Sequence, residues 1–186
     1  MLNLYRIIDV RDPLFVNLYN LYSLAFPASE RRTWADLEYE LTYQKNFYAN
    51  AIIKDDTFVG FLNFWKFDRF CYIEHLAVLP ASREKNIGTT AVELLTKSIE
   101  LSFVLEVEMP SSPDAIRRIN FYESLGFSAV NHPYAQPPYD RDGFILPMLL
   151  MCNDKHFSEN HFETIKATIY TQVYHYKEND ETIIPG

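Results

Sequence analysis

Three carboxylates stand at positions where their chemistry needs an explanation. Glu74 lies in Phe70–Val78, a run whose residues are otherwise mainly apolar. A carboxylate leaves water only when it has a task or a partner. Glu74 is therefore a candidate base, acting directly or through a water, or it is paired to a neighbouring Arg or His, or it faces solvent. Glu106 and Glu108 are two residues apart in Phe103–Glu108, so on a strand they point to one side. Beside the strand of Glu74 they would form an acidic pocket for a cationic amine. The plain alternative is an exposed strand end, which weighs more for Glu106 than for Glu108. His75 should face away from Glu74 if the strand is regular, and reads as a hydrogen-bonded core histidine.

A second kind of chemistry is written into residues 78–89, Val-Leu-Pro-Ala-Ser-Arg-Glu-Lys-Asn-Ile-Gly-Thr. This stretch leaves an apolar strand and enters a helix. A turn there aims backbone N–H groups and the positive helix end at one point, which suits a phosphate or pyrophosphate. Gly88 and Asn86 are the residues best able to take a positive φ. Taken alone, one glycine before a helix is more often only a turn. Neither GxGxxG nor GxxxxGK[ST] occurs, which argues against dinucleotide and P-loop readings.

The elements that must position these groups follow from periodicity and punctuation. Leu2 to Ile8 reads as a strand, and Leu14, Leu18, Leu21, Tyr22 and Ala25 recur at helical spacing up to Pro27. Trp34 to Tyr43 is a second helix. Strands are expected at Tyr48 to Lys54, Thr57 to Phe67 and Phe70 to Val78, the first two joined by an Asp55–Asp56 turn. Gly88 to Ser102 is helical, with Val92, Leu95 and Ile99 inward, and Phe103 to Glu108 is a strand. Ser112-Pro113-Asp114 starts a helix that stops at Gly126. Phe127 to Val130 and Phe144 to Cys152 form a closing strand pair around a Pro- and Tyr-rich loop, 131–143. A last helix runs from Ser158 to about Tyr176. The order is β-α-α-β-β-β-α-β-α-β-β-α. It implies an α/β (α+β) fold with a mixed, mostly antiparallel sheet, one parallel strand–helix–strand join and helices on both faces.

Bulk properties narrow the function. The chain has 186 residues and a net charge of −8. That balance weighs against nucleic acid as a partner and leans toward a cationic substrate. Cys71 and Cys152 sit apart in apolar runs and read as buried thiols of a reducing compartment. The longest apolar run, Phe144 to Cys152, is too short for a membrane span. The expectation is a soluble, cytoplasmic protein without membrane partners. The histidines show no metal-ligand spacing, so no metal is expected.

At two places the sequence resembles the GNAT acetyltransferase superfamily. Arg83-Glu84-Lys85-Asn86-Ile87-Gly88 follows the pattern [QR]-x-x-G-x-[GA], and Phe121-Tyr122-Glu123-Ser124-Leu125-Gly126-Phe127 follows F-Y-x-x-x-G-F. Order and separation also match, and the likeness covers residues 2 to 152. The resemblance implies a GNAT acyl-CoA N-acyltransferase fold over 1–152, with 153–186 a C-terminal helical extension packed on the same domain. It implies acetyl-CoA as co-substrate, lying between two splayed parallel strands ending at Val78 and Glu108. Main-chain groups of Leu76, Ala77 and Val78 would hold pantetheine. Arg83, Glu84, Lys85, Asn86, Ile87, Gly88 and Thr89 would hold the pyrophosphate. Three positions depart from the pattern. Asn86 replaces the first motif glycine, Ala115 an Asn, and Arg118 a small residue. Arg118 shares a helix face with Tyr122 and is a candidate phosphate contact.

The resemblance further implies that Tyr122 protonates the leaving CoA thiolate, with Glu74 as base. Glu30, between the first two helices, Glu108 and Tyr134 are the candidate acceptor-binding residues, although Glu30-Arg31-Arg32 as a charge run is more often a solvated face. The expected function is transfer of acetyl from acetyl-CoA to a primary amine, a small molecule rather than a protein. The alternatives are a non-catalytic acyl-CoA-binding or sensing module and a protein-interaction domain. A homodimer is compatible with each, because Phe157, Phe162, Tyr170, Tyr174 and Tyr176 would want a partner if they formed an exposed stripe.

Overall fold

The computed structural model describes residues 1–140 and 143–176, and at Glu84 and Lys85 the main chain alone. The chain divides into two compact units, Met1–Leu105 and Glu106 onward.

The first unit holds β1 (Leu2–Ile7), α1 (Pro13–Ala25), α2 (Trp34–Tyr43), β2 (Phe47–Lys54), β3 (Thr57–Lys66), β4 (Phe70–Val78), α3 (Ile87–Ser98) and the start of β5 (Ser102–Glu108). β1, β2, β3 and β4 pair antiparallel in chain order. β5 pairs parallel to β4, from Phe70↔Ser102 to Ile73↔Leu105. This is the expected strand–helix–strand join. Asp55 and Asp56 both take positive φ (47° and 60°) in the β2–β3 turn, the backbone that a two-residue hairpin requires. Asp12 caps α1 and Thr33 caps α2 in a capping box.

The core of this unit is aromatic. Phe15, Tyr22, Phe47, Phe61, Trp65 and Tyr72 are almost wholly buried. Gly60 has a local reason to be glycine. A Cβ there would lie 2.5 Å from the Ala77 carbonyl oxygen, so β3 approaches β4 too closely for any side chain.

One helix is shorter than the sequence suggests. α3 stops at Ser98, and Ile99 is already extended (φ −134°). Ile99 is β-branched and adapts readily to extended backbone.

The second unit begins with the end of β5. It continues through α4 (Pro113–Ser124), β6 (Ser128–Ala129), β7 (Tyr134–Gln136), β8 (Leu146–Cys152) and α5 (Lys155–Thr168), and closes with a π-helical turn, Ile169–Val173. β8 pairs antiparallel with both β6 and β7. Ser112 caps α4 by accepting from Ala115 N, and Gly126 follows it at φ +87°, as the punctuation predicts. β7 is new: the 131–143 segment was expected to be a loop. The last helix starts three residues before Ser158, because Asp154 supplies its N-cap through Phe157 N. Its aromatics do not form an exposed stripe. Phe162, Tyr170 and Tyr174 are each at most 8% exposed, which removes the reason given for a partner there.

Candidate functional site

In the first unit, β4 is not a regular strand. Asn63 faces His75 and Phe64 faces Ile73 across the ladder, so Glu74 is an extra residue opposite neither. This is a β-bulge, which re-aims side chains. It corrects the expectation that Glu74 and His75 point to opposite faces: Glu74 Oε1 lies 3.9 Å from His75 Nδ1.

The bulge turns Glu74 into a buried polar cluster. Its side chain is 1% exposed. Oε1 accepts from Arg32 Nη1, and Oε2 accepts from Trp65 Nε1 at 2.8 Å. Arg32, itself 4% exposed, also lies 3.4 Å from Glu40 Oε1 through its Nε. Its main-chain N–H donates to the Tyr22 hydroxyl at 2.9 Å. Arg32 is thus no part of a solvated face, which corrects the plain reading of the Glu30-Arg31-Arg32 run. Glu30 takes part through its carbonyl, 3.0 Å from His75 Nε2. A carbonyl only accepts, so Nε2 carries the proton. Burial lowers the His75 pKa, against the pull of Glu74. The ring packs edge-on against Tyr22 and Phe26 at 4.8 and 4.6 Å. Of the readings open for Glu74, the geometry matches a carboxylate paired to an arginine.

Sequence reasoning missed Arg32, Glu40, Trp65 and Asn63. A buried carboxylate demands a cation, and Arg32 was within the flagged run. Which arginine would turn inward had no signature. Asn63 is 1% exposed, and a polar residue in an otherwise apolar strand was a usable signal.

The anion turn is also in this unit. After β4 a 3₁₀ turn, Pro80–Lys85, leads to Asn86 in left-handed backbone (φ 52°, ψ 25°), which begins α3. Asn86, not Gly88, takes the positive φ. The Asn86 side chain does not cap this helix, and helix-leading N–H groups suit an anion. Ile87 is buried, while Gly88 and Thr89 are half-buried. The exposed Arg83 turns back, its Nε donating to the Val78 carbonyl at 3.2 Å. The side chains of Glu84 and Lys85 lie outside the described residues. Leu76, Ala77 and Val78 pair with Leu62, Phe61 and Gly60 of β3, whereas the ladder to β5 ends at Ile73. The β5-side edge of Leu76 to Val78 is therefore not occupied by that ladder.

In the second unit, Tyr122 on α4 is 7% exposed. Burial pushes its phenol up to about 12, with Arg118 pulling it down. Arg118 and Glu108, the candidates for phosphate and acceptor contact respectively, meet each other at 2.7 Å with both side chains partly exposed. Glu106 corrects a further expectation. It is not an exposed strand end but is half-buried. The Tyr134 hydroxyl donates to its Oε1 and the Tyr174 hydroxyl to its Oε2, the latter at 2.6 Å. Burial, then the charge of Glu106, raises the Tyr134 pKa well above that of a free phenol. Tyr134 itself is only 6% exposed.

Both cysteines are free and buried, and burial pushes the Cys71 thiol up to about 12. Among the described residues, no group of three His, Cys, Asp or Glu is placed to hold a metal ion, and no helix is long and apolar enough to cross a membrane.

Comparison with known proteins gives these features a context. A solved structure from Bacteroides thetaiotaomicron, described as a GNAT-family acetyltransferase, is 35% identical, covers 94% of this chain and 99% of its own, and superposes with a TM-score of 0.89. An aminoglycoside 6'-N-acetyltransferase complexed with coenzyme A is 19% identical, over 82% of this chain and 95% of its own, with a TM-score of 0.57. The ribosomal-protein-S18-alanine N-acetyltransferase of Escherichia coli is 17% identical, over 82% and 92%, with a TM-score of 0.56. These last two bear on the fold alone. No curated protein matches. The model of the acetyltransferase (GNAT) family matches residues 15–127. That is more than half of the chain, and it includes β4, the anion turn and the Tyr122 helix: this protein belongs to the GNAT acetyltransferase family.

Proposed function

We propose that this protein transfers the acetyl group of acetyl-CoA to the primary amine of a small molecule. Family membership supports acetyl-CoA as donor. The observation that carries the site is the turn after β4: left-handed Asn86 opens α3 and does not cap it with its own side chain, and the helix N-terminus then suits the pyrophosphate. In this reading Ile87, Gly88 and Thr89 offer N–H groups, and the edge of Leu76 to Val78 beyond the β5 ladder takes the pantetheine amides. Acetyl-CoA, once bound, supplies the thioester that the amine attacks.

Tyr122 is the proton donor to the departing thiolate. Its phenol, raised to about 12, stays protonated at neutral pH, so a proton is at hand for the thiolate as it departs, although burial makes that transfer less favourable than from a free phenol. Glu74 acts chiefly as the anchor of Arg32, since proton abstraction would first have to break that pair. Two measurements test the reading. Calorimetric titration with acetyl-CoA should give saturable binding near one per chain, with none for NADH. Thiol release over a panel of primary amines should then reveal turnover. Binding without turnover over a broad panel would favour an acyl-CoA sensor, and no binding at millimolar acetyl-CoA would remove the proposal.

A further inference from the structure

The extra residue of β4 could stand at more than one place along the strand. β3 offers Phe64 to Ile73 and Asn63 to His75, which leaves Glu74 without an opposite residue. The main chain alone does not choose that position, because ladder hydrogen bonds are alike from residue to residue. If the extra residue slid to the far end of the strand, Glu74, His75, Leu76 and Ala77 would face Asn63, Leu62, Phe61 and Gly60 in place of the partners they have. Such a one-residue slip turns each side chain to the other face and each N–H and C=O to the other edge. The ladder to β5 ends at Ile73, immediately before the bulge. The main-chain groups that Leu76 to Val78 present on the β5 side therefore depend on where the extra residue sits.

Side chains hold it at position 74. Arg32 Nη1 donates to Glu74 Oε1, and Trp65 Nε1 donates to Oε2 at 2.8 Å. The Arg32 and Glu74 side chains are 4% and 1% exposed, so water cannot easily stand in for either partner. Arg32 is also fixed through its main chain, whose N–H donates to the Tyr22 hydroxyl at 2.9 Å. His75 reaches the same stretch, with its Nε2 3.0 Å from the Glu30 carbonyl. Two consecutive residues of β4 thus converge on residues 30–32, which regular alternation forbids and the bulge permits. A buried ion pair is a weak source of stability, and its best-attested use is to fix a register. We propose that Arg32 is a positioning residue for acetyl-CoA: its pair with Glu74 pins the extra residue of β4 and so sets which main-chain groups of Leu76 to Val78 meet the pantetheine amides. This rests on the acetyltransferase reading above and adds to it a residue that does not itself touch the ligand.

The test titrates the full-length protein with acetyl-CoA by calorimetry, in wild type, Arg32→Lys and Arg32→Met, each well below its own melting point. Unpinning the strand should cost about one hydrogen bond to the ligand, so Arg32→Met should bind acetyl-CoA about tenfold more weakly. Arg32→Lys keeps the cation and should regain most of that loss. A merely structural pair would give a lower melting point with acetyl-CoA affinity unchanged. That pattern in folded Arg32→Met overturns the proposal, and so does an equal loss of affinity in Arg32→Lys and Arg32→Met. If Arg32→Met does not fold, Glu74→Gln decides. It keeps an acceptor for Trp65 and removes the charge that faces Arg32, so its acetyl-CoA affinity should fall several-fold, and wild-type affinity there overturns the proposal. Failure of the wild type itself to bind acetyl-CoA overturns the acetyltransferase reading instead.

Discussion

Glu74→Gln separates a structural carboxylate from a catalytic one. The substitution keeps the shape and leaves an oxygen to accept from Trp65. It removes the charge facing Arg32, whose side chain is 4% exposed. Removing one partner of a buried pair strands the other and typically costs about 3–5 kcal/mol. Glu40 remains 3.4 Å from the guanidinium, so the expected loss is at the low end, about 3 kcal/mol. For a chain of 186 residues that corresponds to a melting point lower by roughly 6–12 °C. Urea unfolding followed by tryptophan fluorescence reads the loss directly, since Trp65 belongs to the cluster. Turnover measured well below the new melting point should fall only a few-fold. A protein with the wild-type unfolding midpoint and a turnover down by a hundredfold would refute the reasoning, because Glu74 would then act on substrate and not on Arg32.

Tyr122→Phe should lower kcat by about 10²-fold or more, in the range of a lost general acid, while acetyl-CoA affinity by calorimetry stays within twofold. Because burial depresses the pKa of His75 in the folded state, the unfolded chain takes up that proton first. Its contribution to stability is full above the unfolded value of about 6.5 and declines as pH falls below it. Urea midpoints at pH 7.5, 6.5 and 5.5 should therefore fall, and His75→Gln should flatten the part of the decline that His75 causes. Cys71 and Cys152 are buried, so a thiol reagent such as DTNB should label neither in buffer and both in guanidinium. Rapid labelling of the folded protein would contradict the packing. Gly60→Ala places a Cβ against the Ala77 carbonyl. It should destabilise by about 1–3 kcal/mol and weaken acetyl-CoA binding by shifting Leu76 to Val78.

Much of the fold was legible because its signals are local. Trp34–Tyr43 and Phe70–Val78 fall where pattern and caps put them, and Ser112, Gly126 and Asp55–Asp56 behave as their residue types demand. What escaped depends on distant partners. Tyr134–Gln136 is a strand only because β8 pairs with it, and a Pro- and Tyr-rich segment carries no period. Ile99 left the helix because extended backbone suits it as well as helix does. The candidate site divided in the same way. The anion turn was visible as a motif, although its left-handed residue proved to be Asn86. The carboxylates were visible as anomalies, but their partners were not. Arg32 lies 42 positions from Glu74, and Tyr174 lies 68 from Glu106.

The extra residue in β4 also affects how such chains tolerate change in length. On either side of Glu74 the strand keeps its own alternation, and the two halves are out of phase. Deleting Glu74 would bring them back into phase, with Ile73 still opposite Phe64 and His75 still opposite Asn63. The ladder and the faces of His75 and Ala77 would survive, while Arg32 would lose its partner. Deleting a residue beyond the bulge would instead displace the side chains between the deletion and either the bulge or the turn at Pro80. In a collection of random variants, the one-residue loss this half-strand tolerates best should therefore fall at position 74.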